Sequence, residues 1–173
     1  MQALKERQST REYGPQKLSP QVLSNLLWAA WGINRPDGRR TAPSASNRQE
    51  IEIYVVTADG AYVYDAKANT LNTVADADLR KSTGSQAYVA EAPLNLVYVA
   101  DFSKLGQGDE NSKNADAHID TGFIAQNVYL FCASEGLGAV VRGSVNRAEL
   151  SKALNLRPDQ RIIVAQTVGY LKK

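Results

Sequence analysis

The stretch from His118 to Gly143 constrains the fold most. Between Ile119 and Ala133 the polar interruptions are Asp120, Thr121, Gln126 and Asn127. A surface helix carries one apolar stripe, so apolar residues on nearly every face mark a helix that other elements cover. Gly136 and Gly138 then stop it, and Ala139–Val141 reads as a short strand ending at Arg142-Gly143. A covered helix that passes through a glycine turn into a strand predicts a central spine with a binding site at one end.

The remaining elements are read around that spine. Residues 2–8 can form a short helix that runs into Arg7, Ser9 and Arg11. If helical, Arg7 and Arg11 share one side; if extended, Arg7, Ser9 and Arg11 all point one way. Two guanidiniums flanking a hydroxyl make either a solvated basic face or a clamp for phosphate or carboxylate. Ser19-Pro20 reads as an N-cap and first helical residue, with Val22, Leu23, Leu26, Leu27, Ala30 and Trp31 on the core face. Trp28 and Trp31 are assigned to core or subunit interface. Residues 38–49 are small, polar and basic, a loop able to bind a planar polar heterocycle through backbone amides, hydroxyls and one Asn.

Ile51–Thr57 and Ala61–Asp65 are β-branched and aromatic runs joined across Asp59-Gly60, a hairpin signal. Asp76–Ala90 is expected to be helical, and Leu94–Ala100 a buried strand after Pro93. The polar residues 103–117 are expected to form a mobile loop or lid. Asn146 to Glu149 resembles a capping box before a short helix, and Arg161–Val168 is a final strand. Strands alternating with helices plus one hairpin predict a single α+β domain over residues 1–173, a mixed, mainly antiparallel sheet packed between helices.

Composition and residue types exclude most familiar chemistries. The net charge of +2 is close to balance, so no nucleic-acid partner is implied. No apolar run approaches the ~18 residues of a membrane span. The polar N-terminus lacks a signal peptide's apolar stretch, so a cytoplasmic location is expected, although a chain trimmed of an export leader would read the same. Cys132 is the only cysteine and His118 the only histidine. No metal cluster, nucleophile elbow, phosphate-binding glycine loop or dinucleotide fingerprint is visible. With no evident acid, base or nucleophile, segments 7–11, 38–49 and 136–143 remain. Such a chain leaves the chemistry to a bound cofactor.

Those segments carry a resemblance. Arg7-x-Ser9-x-Arg11 resembles the opening motif of the nitroreductase family of flavin enzymes. Residues 39–49, followed by Glu52-Ile-Tyr-Val-Val, are similar to its second flavin-contacting segment, especially in the branch of azoline-oxidising dehydrogenases. Asp120-x-Gly122, Gln126-Asn-x-Tyr-Leu and Gly136-Leu-Gly are similar to its core helix and turn.

The resemblance implies FMN held at the interface of a homodimer, with NADH or NADPH as hydride donor and a small conjugated acceptor such as a nitroaromatic or quinone. Arg7, Gln8 and Ser9 would meet the phosphate end, and Arg11 the ribityl chain and the N1/O2 edge. Pro43, Ser44, Ala45 and Asn47 would meet the flavin, partly from the other subunit. Val141, Arg142 and Gly143 would lie beside N5 and O4, and Lys172 or Lys173 on the phosphate. Arg11, then Arg142, would stabilise charge on the reduced ring. One ring face serving donor and acceptor in turn implies ping-pong kinetics. The alternatives are an azoline-type peptide dehydrogenase that needs a partner protein, and a flavin-binding carrier or sensor without turnover. Two departures from the family pattern stand out: the chain is short, and Glu50 replaces a proline common in relatives.

Overall fold

The computed structural model describes residues 1–172. Six strands form one sheet in the order β3-β2-β1-β4-β6-β5. They are β1 (Ile51–Thr57), β2 (Gly60–Asp65), β3 (Thr70–Ala75), β4 (Leu94–Asp101), β5 (Leu137–Arg142) and β6 (Gln160–Tyr170). Every neighbouring pair is antiparallel. The only parallel pairing among the described residues is an isolated bridge, Ser9 to Ala139.

Period-two alternation splits the core between the two sheet faces. Ile53, Val55, Leu96 and Tyr98 face one layer, which α2 (Pro20–Trp31) and α4 (Glu110–Ser134) cover with Leu26, Trp31, Ile124 and Val128. Tyr54, Val56, Val97 and Val99 face the other, where α5 (Arg147–Ala153) brings Leu150 and the following Leu154. The caps are those expected: Ser19 accepts from the Val22 N–H, and Asn146 accepts from Glu149 N–H while donating to its carboxylate at 2.8 Å. Cys132 packs in the core, where burial pushes its thiol up to about 12.

Two expectations need correction. Residues 103–117 are not a loop: a 3₁₀ turn, Phe102–Leu105, leads to Asp109, which caps α4 by accepting from the Ser112 N–H at 2.7 Å. The first two turns of α4 are largely exposed and polar, so they lack the apolar periodicity that marks a helix. Asp76–Ala90 is not one helix either, but a 3₁₀ turn, Arg80–Thr83, and a short α3 (Ala87–Glu91) separated at Gly84. β3 is an addition to the expected strands, a mostly exposed edge.

The central helix is covered on one side only in the single chain. Ala117, Thr121, Ile124, Val128 and Cys132 are buried, but Ile119 and Phe123 are 55% and 45% exposed. Trp28 of α2, 48% exposed, borders the same face through a shallow cavity shared with Asn127, Leu130 and Phe131.

Candidate cofactor site

The first helix, α1 (Gln2–Glu6), ends at Arg7, and the chain then runs extended. Ser9 bridges Ala139, the Thr10 N–H donates to the Ala139 carbonyl at 2.9 Å, and Tyr13 bridges Leu171. Gly138 permits this approach, because a Cβ there would lie 2.8 Å from the Thr10 methyl. The extended alternative for Arg7-x-Ser9-x-Arg11 is therefore the one that forms. The Arg7 guanidinium lies 5.3 Å from the Tyr129 ring centre, and Ser9 Oγ is 3.1 Å from the Tyr129 hydroxyl. That hydroxyl also accepts from the Val141 N–H at 2.9 Å, so one phenol fastens the N-terminal strip and the end of β5 to α4. Gln8 is exposed beside a cleft of about 210 Å³ lined by Thr10, Tyr129 and Ala139. Arg11 is exposed, and neither Arg7 nor Arg11 pairs with a carboxylate among the described residues.

At the end of β5 the Arg142 side chain turns inward and is 5% exposed. It donates to the Thr83 carbonyl at 2.5 Å, Asn95 Oδ1 at 2.8 Å and Thr167 Oγ1 at 3.0 Å. All three acceptors are neutral, so the charge is buried without a carboxylate partner among the described residues, and burial lowers the guanidinium's pKa from its ordinary value. The next residue, Gly143, lines a cleft of about 710 Å³ with Gly84, Ser85, Gln86 and Ser144. Gln86 donates to Ser144 Oγ at 2.6 Å, while its Oε1 is buried with no partner among the described residues.

The 43–49 loop is strained and held from outside. Ser46, Asn47 and Gln49 have φ of 52°, 54° and 50°, left-handed conformations that non-glycine residues adopt sparingly, while Arg48 between them is right-handed at φ −71°. Asp120 Oδ2 accepts from the Ala45 N–H at 2.8 Å, Ser44 Oγ accepts from the Gln49 N–H at 3.1 Å, and Arg48 pairs with Asp116 at 3.1 Å. Pro43 and Asn47 are exposed; Ser44 and Ala45 are half-buried. Beneath the loop Glu50 is fully buried, and neither carboxyl oxygen meets a donor among the described residues. Burial, reinforced by the neighbouring Asp120 and Asp116, raises its carboxyl to about 7.

The two groups of expected site residues do not meet within one chain. The 43–49 loop is tied to α4 at Asp120, and the N-terminal strip is tied at Tyr129, nine residues later. At 1.5 Å rise and 3.6 residues per turn, those points lie roughly 13 Å apart along the axis and about half a turn around it. Arg7, Ser9 and Val141 do converge on Tyr129. Lys172 is exposed after the end of β6, and Lys173 lies outside the described residues. Tyr129 is visible in the sequence only as part of the Gln126-Asn-x-Tyr-Leu segment, with no role assigned to its hydroxyl, and Gln86, an amide in a loop, carries no pattern. Glu50 is visible there only as a departure from proline.

The family profile described as "Nitroreductase family" matches residues 4–170. A Methanocaldococcus jannaschii protein assigned to the nitroreductases is 31% identical over 164 residues, 88% of this chain and 82% of its own. The NADPH-flavin oxidoreductase of Vibrio harveyi is 28% identical over 101 residues, 54% of this chain and 42% of its own. A crystal structure from Ralstonia eutropha, also assigned to the nitroreductases, superposes with a TM-score of 0.94 at 42% identity, covering 99% of this chain and 82% of that one. The chain belongs to the nitroreductase family.

Proposed function

We propose that this chain is an FMN-dependent oxidoreductase that takes reducing equivalents from NADH or NADPH and delivers them to a small conjugated acceptor, a nitroaromatic or a quinone, in a ping-pong cycle. The family and the NADPH-flavin oxidoreductase among its relatives support the flavin-dependent oxidoreductase class. The observation that carries the reading is the N-terminal strip itself. Arg7 and Ser9 are docked on β5 and Tyr129 with no carboxylate partner among the described residues, and the strand they dock on ends at the Gly143 cleft.

The donor set fits the cofactor. A phosphate dianion needs cations not already neutralised, and Arg7 and Arg11 answer that need. The polar rim of a flavin needs donors and acceptors at one end, and the Gly143 cleft offers backbone together with the unpartnered Gln86 Oε1. FMN, when bound, supplies two-electron transfer between the nicotinamide and the acceptor. The protein's part is to bind and orient. Arg7, Gln8 and Ser9 would hold the phosphate end, helped by Lys172 or Lys173. Arg11 and the buried charge of Arg142 would favour negative charge on the ring, most strongly where water is excluded. Val141 and Gly143 would present backbone at its edge.

Pro43, Ser44, Ala45 and Asn47 would reach the cofactor from a second copy. Their attachment to the far side of α4 supports that arrangement, as does the uncovered stripe of Ile119, Phe123 and Trp28. The test is to purify the protein, record its visible spectrum, and add NADH or NADPH without oxygen. Bleaching of a flavin absorbance that returns on adding a quinone is expected. A colourless protein that takes up no added FMN would refute the reading, and bound FMN that neither nicotinamide bleaches would refute turnover.

A further inference from the structure

We propose that Glu50 is a positioning residue for the cofactor loop: it shares one proton with Asp120, and that proton latches residues 43–49 onto α4, so that cofactor retention falls as pH rises. The proposal rests on the flavin reading for its consequence, but not for the latch itself.

The geometry is that of two acceptors with too few donors. Glu50 is 0% exposed and Asp120 2% exposed. One Asp120 oxygen takes the Ala45 N–H at 2.8 Å, whereas neither oxygen of Glu50 has a partner among the described residues. Two ionised carboxylates buried side by side are unfavourable twice over, from desolvation and from repulsion. A single proton between them removes both penalties. The backbone donor at Asp120 favours ionisation there, which leaves the proton on Glu50, donating to Asp120.

The described residues do not supply an alternative counter-charge. On α4 the facing groups are Asp120 and Asp116, both acidic, and on the loop the facing cation is Arg48, committed to Asp116 at 3.1 Å. Near the loop's base Arg40 is held by Gln49 Oε1 and the Trp31 carbonyl, both at 2.8 Å. From β4 the contact is a backbone one, the Asp101 N–H donating to the Glu50 carbonyl at 3.0 Å. With three left-handed residues in the loop, its pose depends on these external ties. Losing the proton sets two charges against each other at the tie that holds Ala45.

The sign follows from the direction in which the pKa moves. Glu50 has a raised carboxyl pKa in the folded chain, so its stabilisation is complete below the unfolded value. It is lost as pH rises through about 7.

The experiment compares the wild type with Glu50→Gln, which cannot ionise but can still donate to Asp120. Thermal melts of the FMN-free protein from pH 5 to pH 8.5 test the latch alone, and FMN titrations by fluorescence quenching over the same range test its consequence. The wild type is expected to melt lower as pH rises relative to the variant. Its FMN Kd should rise by about tenfold or more, because the protonated fraction of a carboxyl falls about tenfold for each pH step of one above its pKa. The variant's Kd should stay flat. Identical pH profiles for the two proteins would overturn the latch, whatever FMN does. A pH-dependent melt in a protein that never binds FMN would leave the latch standing and refute the flavin reading. If Glu50→Gln does not fold, the ¹³C-labelled wild type decides: a Glu50 carboxyl titrating above pH 6 supports the shared proton, and one titrating at an ordinary glutamate pH overturns it.

Discussion

Replacing Phe123 with alanine tests whether α4 is the seam of a dimer. Phe123 is 45% exposed in the single chain. An aromatic side chain buries 150–250 Å², so covering the exposed part would remove roughly 70–110 Å² from water. At about 25 cal/mol per Å² this is worth about 2 kcal/mol per protomer. A two-fold interface uses each residue twice, so the dimer loses about 4 kcal/mol, roughly a thousandfold in Kd. The chain's own stability should hardly change, because the side chain is exposed there and alanine is the better helix former. Sedimentation equilibrium measures the dimer constant, and a urea melt checks the fold. Retained FMN, measured after gel filtration, should fall in step with dimer content, because the 43–49 loop and the N-terminal strip sit on opposite sides of α4. A Phe123→Ala protein that dimerises as tightly as wild type would refute the argument, as would a wild type that stays monomeric at micromolar concentration.

Arg7→Ala should raise the FMN Kd at least about tenfold, by removing one charge-assisted contact to the phosphate; unchanged retention on gel filtration would remove Arg7 from the site. Gly84→Ala would put a Cβ 2.1 Å from Arg142 Nη1 and 3.1 Å from Gln86 Oε1. The displaced guanidinium should lose its bond to the Thr83 carbonyl, costing about 1–3 kcal/mol, read as a lower urea midpoint at unchanged slope. Asp109→Ala should cost about 1 kcal/mol by uncapping α4, and an unshifted thermal midpoint would contradict the capping geometry.

Local chemistry makes part of the fold legible. Ser19-Pro20 with apolar residues at helical spacing announces α2, and Asp59-Gly60 between β-branched runs announces the β1–β2 hairpin. The parts that escape are those with weak local signals. The opening turns of α4 are exposed and polar, so their helicity follows from Asp109 at the cap and continuity with the buried turns beyond. β3 is an exposed edge whose residues show no alternation, and it exists because β2 offers it a partner. The site is legible as segments and illegible as an arrangement. Arg7, Ser9 and Arg11 read equally as helical or extended, and the choice comes from Gly138, a residue more than a hundred positions away that lets the strip approach β5. Arg142 is expected from the resemblance at the strand end beside the ring, yet Thr83, Asn95 and Thr167 draw its guanidinium into the interior.

The helix whose sequence reads as covered on all sides is covered on one. Its sequence alone determined that its apolar faces need partners, because exposed apolar area is unfavourable whatever the fold. Tertiary structure decided which face the chain covers itself and which it leaves open. Helix periodicity alone puts Asp120 and Tyr129, nine residues apart, on opposite sides; packing decided that the first holds the 43–49 loop and the second the N-terminal strip, because those partners come from distant segments of the chain.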